Sequence, residues 1–168
     1  MIQIAANTAD SDLALALPDA AATDRLGLVL ARVAGPGDTI LLEGPIGAGK
    51  THLARALIRA RLGLATEVPS PTFTLVQTYG EGAGAIWHAD LYRLGHPDEA
   101  RELGLDEAFD RALCLIEWPE RMRGHLPPDA LWIRLEMAGE GRRVSLRGGR
   151  AGLAAAIVSA WQGNGDAG

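Results

Sequence analysis

Apolar positions along the chain alternate between two periods. Leu26, Val29, Leu30 and Val33 recur at the three-and-four spacing of an amphipathic helix. The segment LPDAAATDRLGLVLARVAGPG therefore predicts a helix that Asp19 or Thr23 can cap and Gly35-Pro36-Gly37 stops. Thr39–Glu43 (TILLE) is an apolar run of strand length, followed by a glycine-rich turn from Gly44 to Gly49. Lys50–Leu62 predicts a second helix, with Leu53, Leu57 and Ile58 on one face and Gly63 as its stop.

The rest of the chain reads in shorter pieces. Ile2–Ala6 fits a first strand. Pro69-Ser70-Pro71 is a rigid break, Phe73–Tyr79 and Ala85–Ala89 predict strands either side of an EGAG turn, and Pro97–Gly104 and Asp106–Arg111 predict short helices. Leu113–Ile116 (LCLI) is a buried-type strand, Leu131–Met137 and Arg142–Arg147 a hairpin, and Ala151–Trp161 a closing helix. Strands alternating with helices imply a parallel core, and the hairpins imply antiparallel additions. The expected fold class is α/β: a mixed β-sheet flanked by helices on both faces. No linker or internal repeat divides the chain, so residues 1–162 read as a single domain and 163–168 as a frayed tail.

Composition narrows the class of protein. With 168 residues, 48% hydrophobic and 22% charged, the chain can bury a core without staples. One cysteine, Cys114, excludes an internal disulfide and fits a reducing cytoplasm; in its apolar strand it reads as inert core. The start lacks the pattern of a signal peptide, and no apolar run approaches the ~20 residues of a membrane span. A net charge of −5 argues against holding DNA or RNA through the overall field. Arginines cluster after Glu120, where a local basic face competes with a merely solvated one. Lys50 is the sole lysine among 16 basic residues, so a compact ammonium is retained at one place only.

That lysine completes the pattern G-x-x-x-x-G-K-T, Gly44 to Thr51, between a predicted strand and a predicted helix. Gly44, Gly47 and Gly49 allow backbone angles that turn successive N–H groups onto phosphate oxygens. Pro45, Ile46, Ala48 and His52 complete the loop and the first helical turn, whose dipole end favours an anion. Lys50 suits the β- and γ-phosphates, and the Thr51 hydroxyl suits Mg²⁺. The fold is thus expected to be of the P-loop NTPase kind, with ATP or ADP and Mg²⁺ as cofactors.

Magnesium also needs a carboxylate at the end of a neighbouring strand. Asp90 follows AIWHA and Glu117 follows LCLI. Glu117 ends the cleaner apolar run, which favours it on the metal side, directly or through water; Asp90 then falls to the γ-phosphate side. Ser70 and Thr72 sit where a γ-phosphate-sensing segment would lie, although a stiff connector has the same sequence. His88 reads as a structural histidine, and His52, His96 and His125 lack metal-ligand spacing. Trp118, beside the strand-end acid, suits either the nucleotide or core packing; Trp87, Trp132 and Trp161 read as packing residues.

The order GPIGAGKT, VPSPTFTLVQTY, WHADLYRL, LIEWPE resembles the P-loop ATPases of bacterial tRNA threonylcarbamoyladenosine synthesis, the TsaE (YjeE-type) family, over about Leu17 to Arg143. The resemblance implies an accessory subunit with weak ATP hydrolysis of its own. Its partners would be a TsaB–TsaD type heterodimer, which transfers threonylcarbamoyl to adenosine 37 of tRNA, with tRNA contacted indirectly. It implies that Thr51 and Glu117 hold Mg²⁺, that Lys50, Asp90 and Glu117 carry the chemistry, and that Ser70–Thr72 form a switch-like segment. Trp118 would lie beside the metal, and Leu17–Gly27 with Gly141–Arg142 near adenine. The chain departs from the family pattern at Pro45 and Ile46, at His52 and at Ala89; Pro45 removes one backbone donor from the loop.

Two other readings follow from the residues. A small-molecule kinase shares the loop but needs an acceptor site and an arginine-bearing lid, whereas Gly141–Arg150 reads as a hairpin. A nucleotide-gated binding module needs no acid pair. Arg93 is the nearest candidate for an arginine finger, with pairing to a carboxylate as the structural alternative.

Overall fold

The structure, a computed structural model, describes residues 13–163. Seven strands form one mixed sheet: β1 (Leu13–Leu17), β2 (Thr39–Glu43), β3 (Val76–Tyr79), β4 (Ile86–Asp90), β5 (Leu113–Glu117), β6 (Leu131–Ala138) and β7 (Gly141–Gly148), in the spatial order β1-β7-β6-β2-β5-β4-β3. The central strands β6, β2, β5 and β4 run parallel, and both flanks are antiparallel. Helices α1 (Ala20–Val33), α2 (Lys50–Leu62) and α5 (Leu153–Gly163) cover one face. The short helices α3 (Glu99–Glu102) and α4 (Leu105–Ala108), with a 3₁₀ turn at Pro119–Met122, cover part of the other. The expected fold class therefore holds.

Strand alternation divides the core in two. In β2, Ile40 and Leu42 face the helices α1 and α2 while Leu41 faces the opposite side; in β5, Leu113 and Leu115 do the former and Cys114 and Ile116 the latter. Each fully buried leucine or isoleucine contributes about 1.5–3 kcal/mol. Gly27 allows α1 to press on α2: a Cβ there would lie 2.5 Å from the Ala56 Cβ.

Asp19 is the N-cap of α1, its carboxylate accepting from Ala22 N–H at 2.8 Å, while Thr23 is buried inside the helix. Helix α2 begins and ends where its sequence pattern places it, with Gly63 closing it.

Four expectations shift. Strand β1, the Leu-Ala alternation Leu13–Leu17, was not apparent from the sequence; it pairs antiparallel with β7, and Leu15 and Leu17 are buried. The strand expected at Ile2–Ala6 lies outside the described residues. Strand β3 starts at Val76 rather than Phe73, because the Leu75 N–H turns back to the Pro71 carbonyl at 2.7 Å. Helix α5 runs Leu153–Gly163, starting and ending later than the expected Ala151–Trp161; residues 164–168 are not among those described.

Most of the late arginines are tied individually rather than forming one basic face. Arg150 pairs with the buried Asp38 at 2.9 Å, Arg134 with Glu136 at 2.9 Å, and Arg147 lies over Trp132 at 4.7 Å. Trp161 is buried beneath Arg25, at 4.0 Å. Among the described residues no helix is long and apolar enough to cross a membrane.

Candidate functional site

The site lies at the carboxyl ends of β2, β4 and β5, the end of a parallel sheet where ligands bind in open α/β folds. Strand β2 delivers the chain into the glycine loop at Gly44, whose φ is 145°; a Cβ there would meet the Leu135 carbonyl oxygen at 2.3 Å. Gly47 and Gly49 also have positive φ, and Gly49 leads directly into α2. The loop is braced from the flank of the sheet. Arg142, at the start of β7, donates from its guanidinium to the carbonyls of Ala48 at 3.1 Å and Gly47 at 3.2 Å. Arg142 thereby fixes the Gly47 and Ala48 carbonyls, while the Ala48 N–H is taken by the Pro45 carbonyl at 3.1 Å.

Lys50 is buried, 5% exposed, and folds over the loop, donating to the carbonyls of Gly44 and, at 3.0 Å, of Pro45. Its ammonium stands 4.0 Å from the centre of the Trp118 ring. Burial pushes the Lys50 pKa below its ordinary value, against the opposing pull of Glu117, Glu120 and Asp90. Trp118 sits in left-handed backbone (φ 59°), packs against Tyr92 at 5.0 Å and lies half-buried against the core cluster.

The two strand-end acids come side by side. Asp90 and Glu117 are the last residues of β4 and β5 and are register partners in the parallel pair. Both are buried, at 6% and 2% exposure. Thr51 donates from its hydroxyl to Glu117 Oε1 at 2.6 Å. His88 Nε2 meets Glu117 Oε2, also at 2.6 Å. Asp90 accepts from the Tyr92 N–H at 3.0 Å and, at 3.4 Å, from the Thr72 hydroxyl. Ser70 and Thr72 share a hydroxyl contact at 2.7 Å. The connector after Pro69 is thus joined to the site through Asp90.

Some expected residues take other positions. His52 turns its ring to Asp24 of α1 at 2.7 Å, and the Ile46 side chain is 73% exposed to solvent. Arg93 stacks over Phe73 at 4.6 Å, and no ion pair of it is found among the described residues. A recess of about 270 Å³ opens beside the loop, between Asp19 and Thr23 of α1 and Gly141 and Arg142 of the hairpin. Sequence reasoning missed His88, Tyr92 and Glu120 as parts of the site. For His88 the signal was available: in a strand, it shares a face with Asp90 two residues on.

Fold and site together define an α/β protein of the P-loop NTPase kind. A family model described as "Threonylcarbamoyl adenosine biosynthesis protein TsaE" matches residues 17–144. Two curated proteins, each named "tRNA threonylcarbamoyladenosine biosynthesis protein TsaE", are similar over 122 residues. The one from Rickettsia felis is 43% identical, covering 73% of this chain and 71% of its own. The one from Bacillus subtilis is 38% identical, covering 72% and 75%. A crystal structure of Bacillus subtilis YdiB superposes with a TM-score of 0.73 at 26% identity, over 94% of this chain and 99% of that one. The chain belongs to the TsaE family of tRNA threonylcarbamoyladenosine biosynthesis proteins.

Proposed function

We propose that this chain binds ATP with Mg²⁺ at the glycine loop and hydrolyses it slowly by itself. We propose further that it serves in the cytoplasm as an accessory subunit to a TsaB–TsaD type heterodimer that installs threonylcarbamoyl on adenosine 37 of tRNA. The observation that carries the reading is the Thr51–Glu117 contact at 2.6 Å beside a glycine loop braced by Arg142.

The residues fit the cofactor. A Cβ on Gly44 would collide with the Leu135 carbonyl oxygen, so glycine lets the loop pack on β6 and lead into the N-terminal end of α2, which favours an anion. One hydroxyl and one carboxylate oxygen suit Mg²⁺, which keeps several waters and takes its other ligands from phosphate. Among the described residues no group of three or more His, Cys, Asp or Glu could hold a metal without such help. When bound, Mg²⁺–ATP supplies the phosphoanhydride and the neutralising charge.

The chain's own residues divide the remaining work. Lys50 exchanges its carbonyl partners for phosphate oxygens, a short move because its ammonium already lies over the loop. Thr51 and Glu117 hold the metal. Asp90, anchored by the Tyr92 N–H, orients the attacking water, and Thr72 and Ser70 report on the phosphate end. Adenine takes the recess between α1 and the hairpin. No observation favours the small-molecule kinase: Arg142 braces the loop and Arg150 is bound to Asp38, so these arginines form no lid.

The test is phosphate release from ATP–Mg²⁺ by the purified chain, alone and with its TsaB–TsaD partners and tRNA. Slow release that rises with the partners is expected. Release indifferent to the partners, or phosphate transferred to a small metabolite, overturns the reading.

A further inference from the structure

His88 is completely buried, yet the proposed chemistry gives it no task. It lies on β4 two residues before Asp90 and reaches across to the neighbouring strand, where Nε2 stands 2.6 Å from Glu117 Oε2. A carboxylate accepts, so Nε2 carries the hydrogen in this contact. Nδ1 then offers only a lone pair, and it is buried without a partner. An unpartnered buried polar atom destabilises a fold, and a leucine would fill this volume without it. What histidine adds at position 88 is the Nε2–H alone.

That hydrogen bond completes the hold on Glu117. Thr51 donates to one oxygen and His88 to the other, so the carboxylate plane is fixed at both ends. The terminal torsion of a glutamate is otherwise broad. Only the His88 contact comes from the sheet itself; Thr51 belongs to the same helix start as the nucleotide loop and must turn its hydroxyl toward a metal to serve it.

We propose that His88 is a positioning residue for the metal side of the site: its Nε2–H keeps the Glu117 carboxylate aimed at Thr51 when the Thr51 hydroxyl is given up to Mg²⁺. The inference rests on the Mg²⁺-nucleotide site proposed above. Partners that orient a metal-supporting carboxylate typically change metal affinity by ~10–100-fold when removed.

The test is calorimetric titration of ADP into the full chain with and without Mg²⁺, together with the half-saturating Mg²⁺ concentration at fixed ADP. His88→Leu is expected to raise that concentration by ~10–100-fold while metal-free ADP affinity and the far-ultraviolet circular dichroism stay unchanged. His88→Gln, whose amide can stand in for Nε2–H, restores most of the loss, and His88→Asn, too short to reach, does not. If His88→Leu fails to fold, the Gln–Asn contrast decides: equal Mg²⁺ dependence in the two overturns the inference. A folded His88→Leu with wild-type Mg²⁺ dependence also overturns it. Wild-type protein whose ADP binding ignores Mg²⁺ overturns the proposed site itself, a separate result.

Discussion

The two acids at the heart of the site are neighbours in register but are held in unlike ways. Glu117 is gripped at both oxygens at 2.6 Å, by a strand residue and by the first turn of α2. Asp90 is held by one backbone N–H at 3.0 Å and by a longer 3.4 Å contact to Thr72, in the connector after Pro71. The Glu117 side is built from regular elements. The Asp90 side is finished by a turn whose hydroxyls are exposed. The difference teaches where each half can adjust: on the proposed function, Glu117 would belong to a metal ligand set best fixed in advance, and Asp90 to a side that must differ between ATP and ADP.

The largest effects expected are from removing Lys50, whose ammonium lies over the loop, and Glu117. Lys50→Ala should lower phosphate release by ~10²–10³-fold, with the circular dichroism spectrum intact. Glu117→Ala should lower turnover with Mg²⁺ by a similar ~10²–10³-fold, and also leave the His88 donor unpaired, costing ~1–3 kcal/mol in a denaturant titration. Unfolding of either variant would make that residue structural instead. Asp90→Asn sharpens the contrast: turnover should fall by ~10²-fold while Mg²⁺-dependent ADP binding persists. Equal loss of binding in the Asp90 and Glu117 variants would break the division between the two sides. Thr72→Val removes the long hydrogen bond to Asp90 and the hydroxyl contact with Ser70, and a several-fold drop in turnover, at most about tenfold, is expected.

The smallest effect is on Cys114, fully buried near the start of β5, where its register partners are Thr39 and Trp87. Desolvation pushes its pKa up to about 12, so the reactive thiolate is scarce at any pH below that. Iodoacetamide at pH 8 should leave the folded chain unlabelled and its turnover unchanged. Labelling should appear only in denaturant.

Much of this was legible in the sequence because local chemistry dictated it. The TILLE run, the glycine turn and the Lys50–Leu62 helix each carry their own signal, and the structure keeps their bounds. Both acids were readable as strand-end residues. Their adjacency was not: it depends on β5 inserting between β2 and β4, and strand order leaves no local trace. His88 was passed over as a packing histidine because its partner sits on another strand. Strand β1 was hidden because alanine, which alternates there with leucine, has little strand preference; pairing with β7 supplies what propensity does not. Arg142 was expected near adenine. It lines that recess but also grips the loop's carbonyls, a role no spacing rule encodes.

The strand order also sets a timetable. Strand β2 emerges early from the ribosome, but its two neighbours, β5 and β6, are encoded far downstream, and the arginine that braces the loop comes later still. Closing such long loops is slow and entropically costly. A nascent chain that has released Gly63 has the whole GPIGAGKT motif in solution with no sheet on either side to hold it. On the proposed function, a nascent chain still short of Arg142 is expected to bind nucleotide poorly, because its loop lacks that brace.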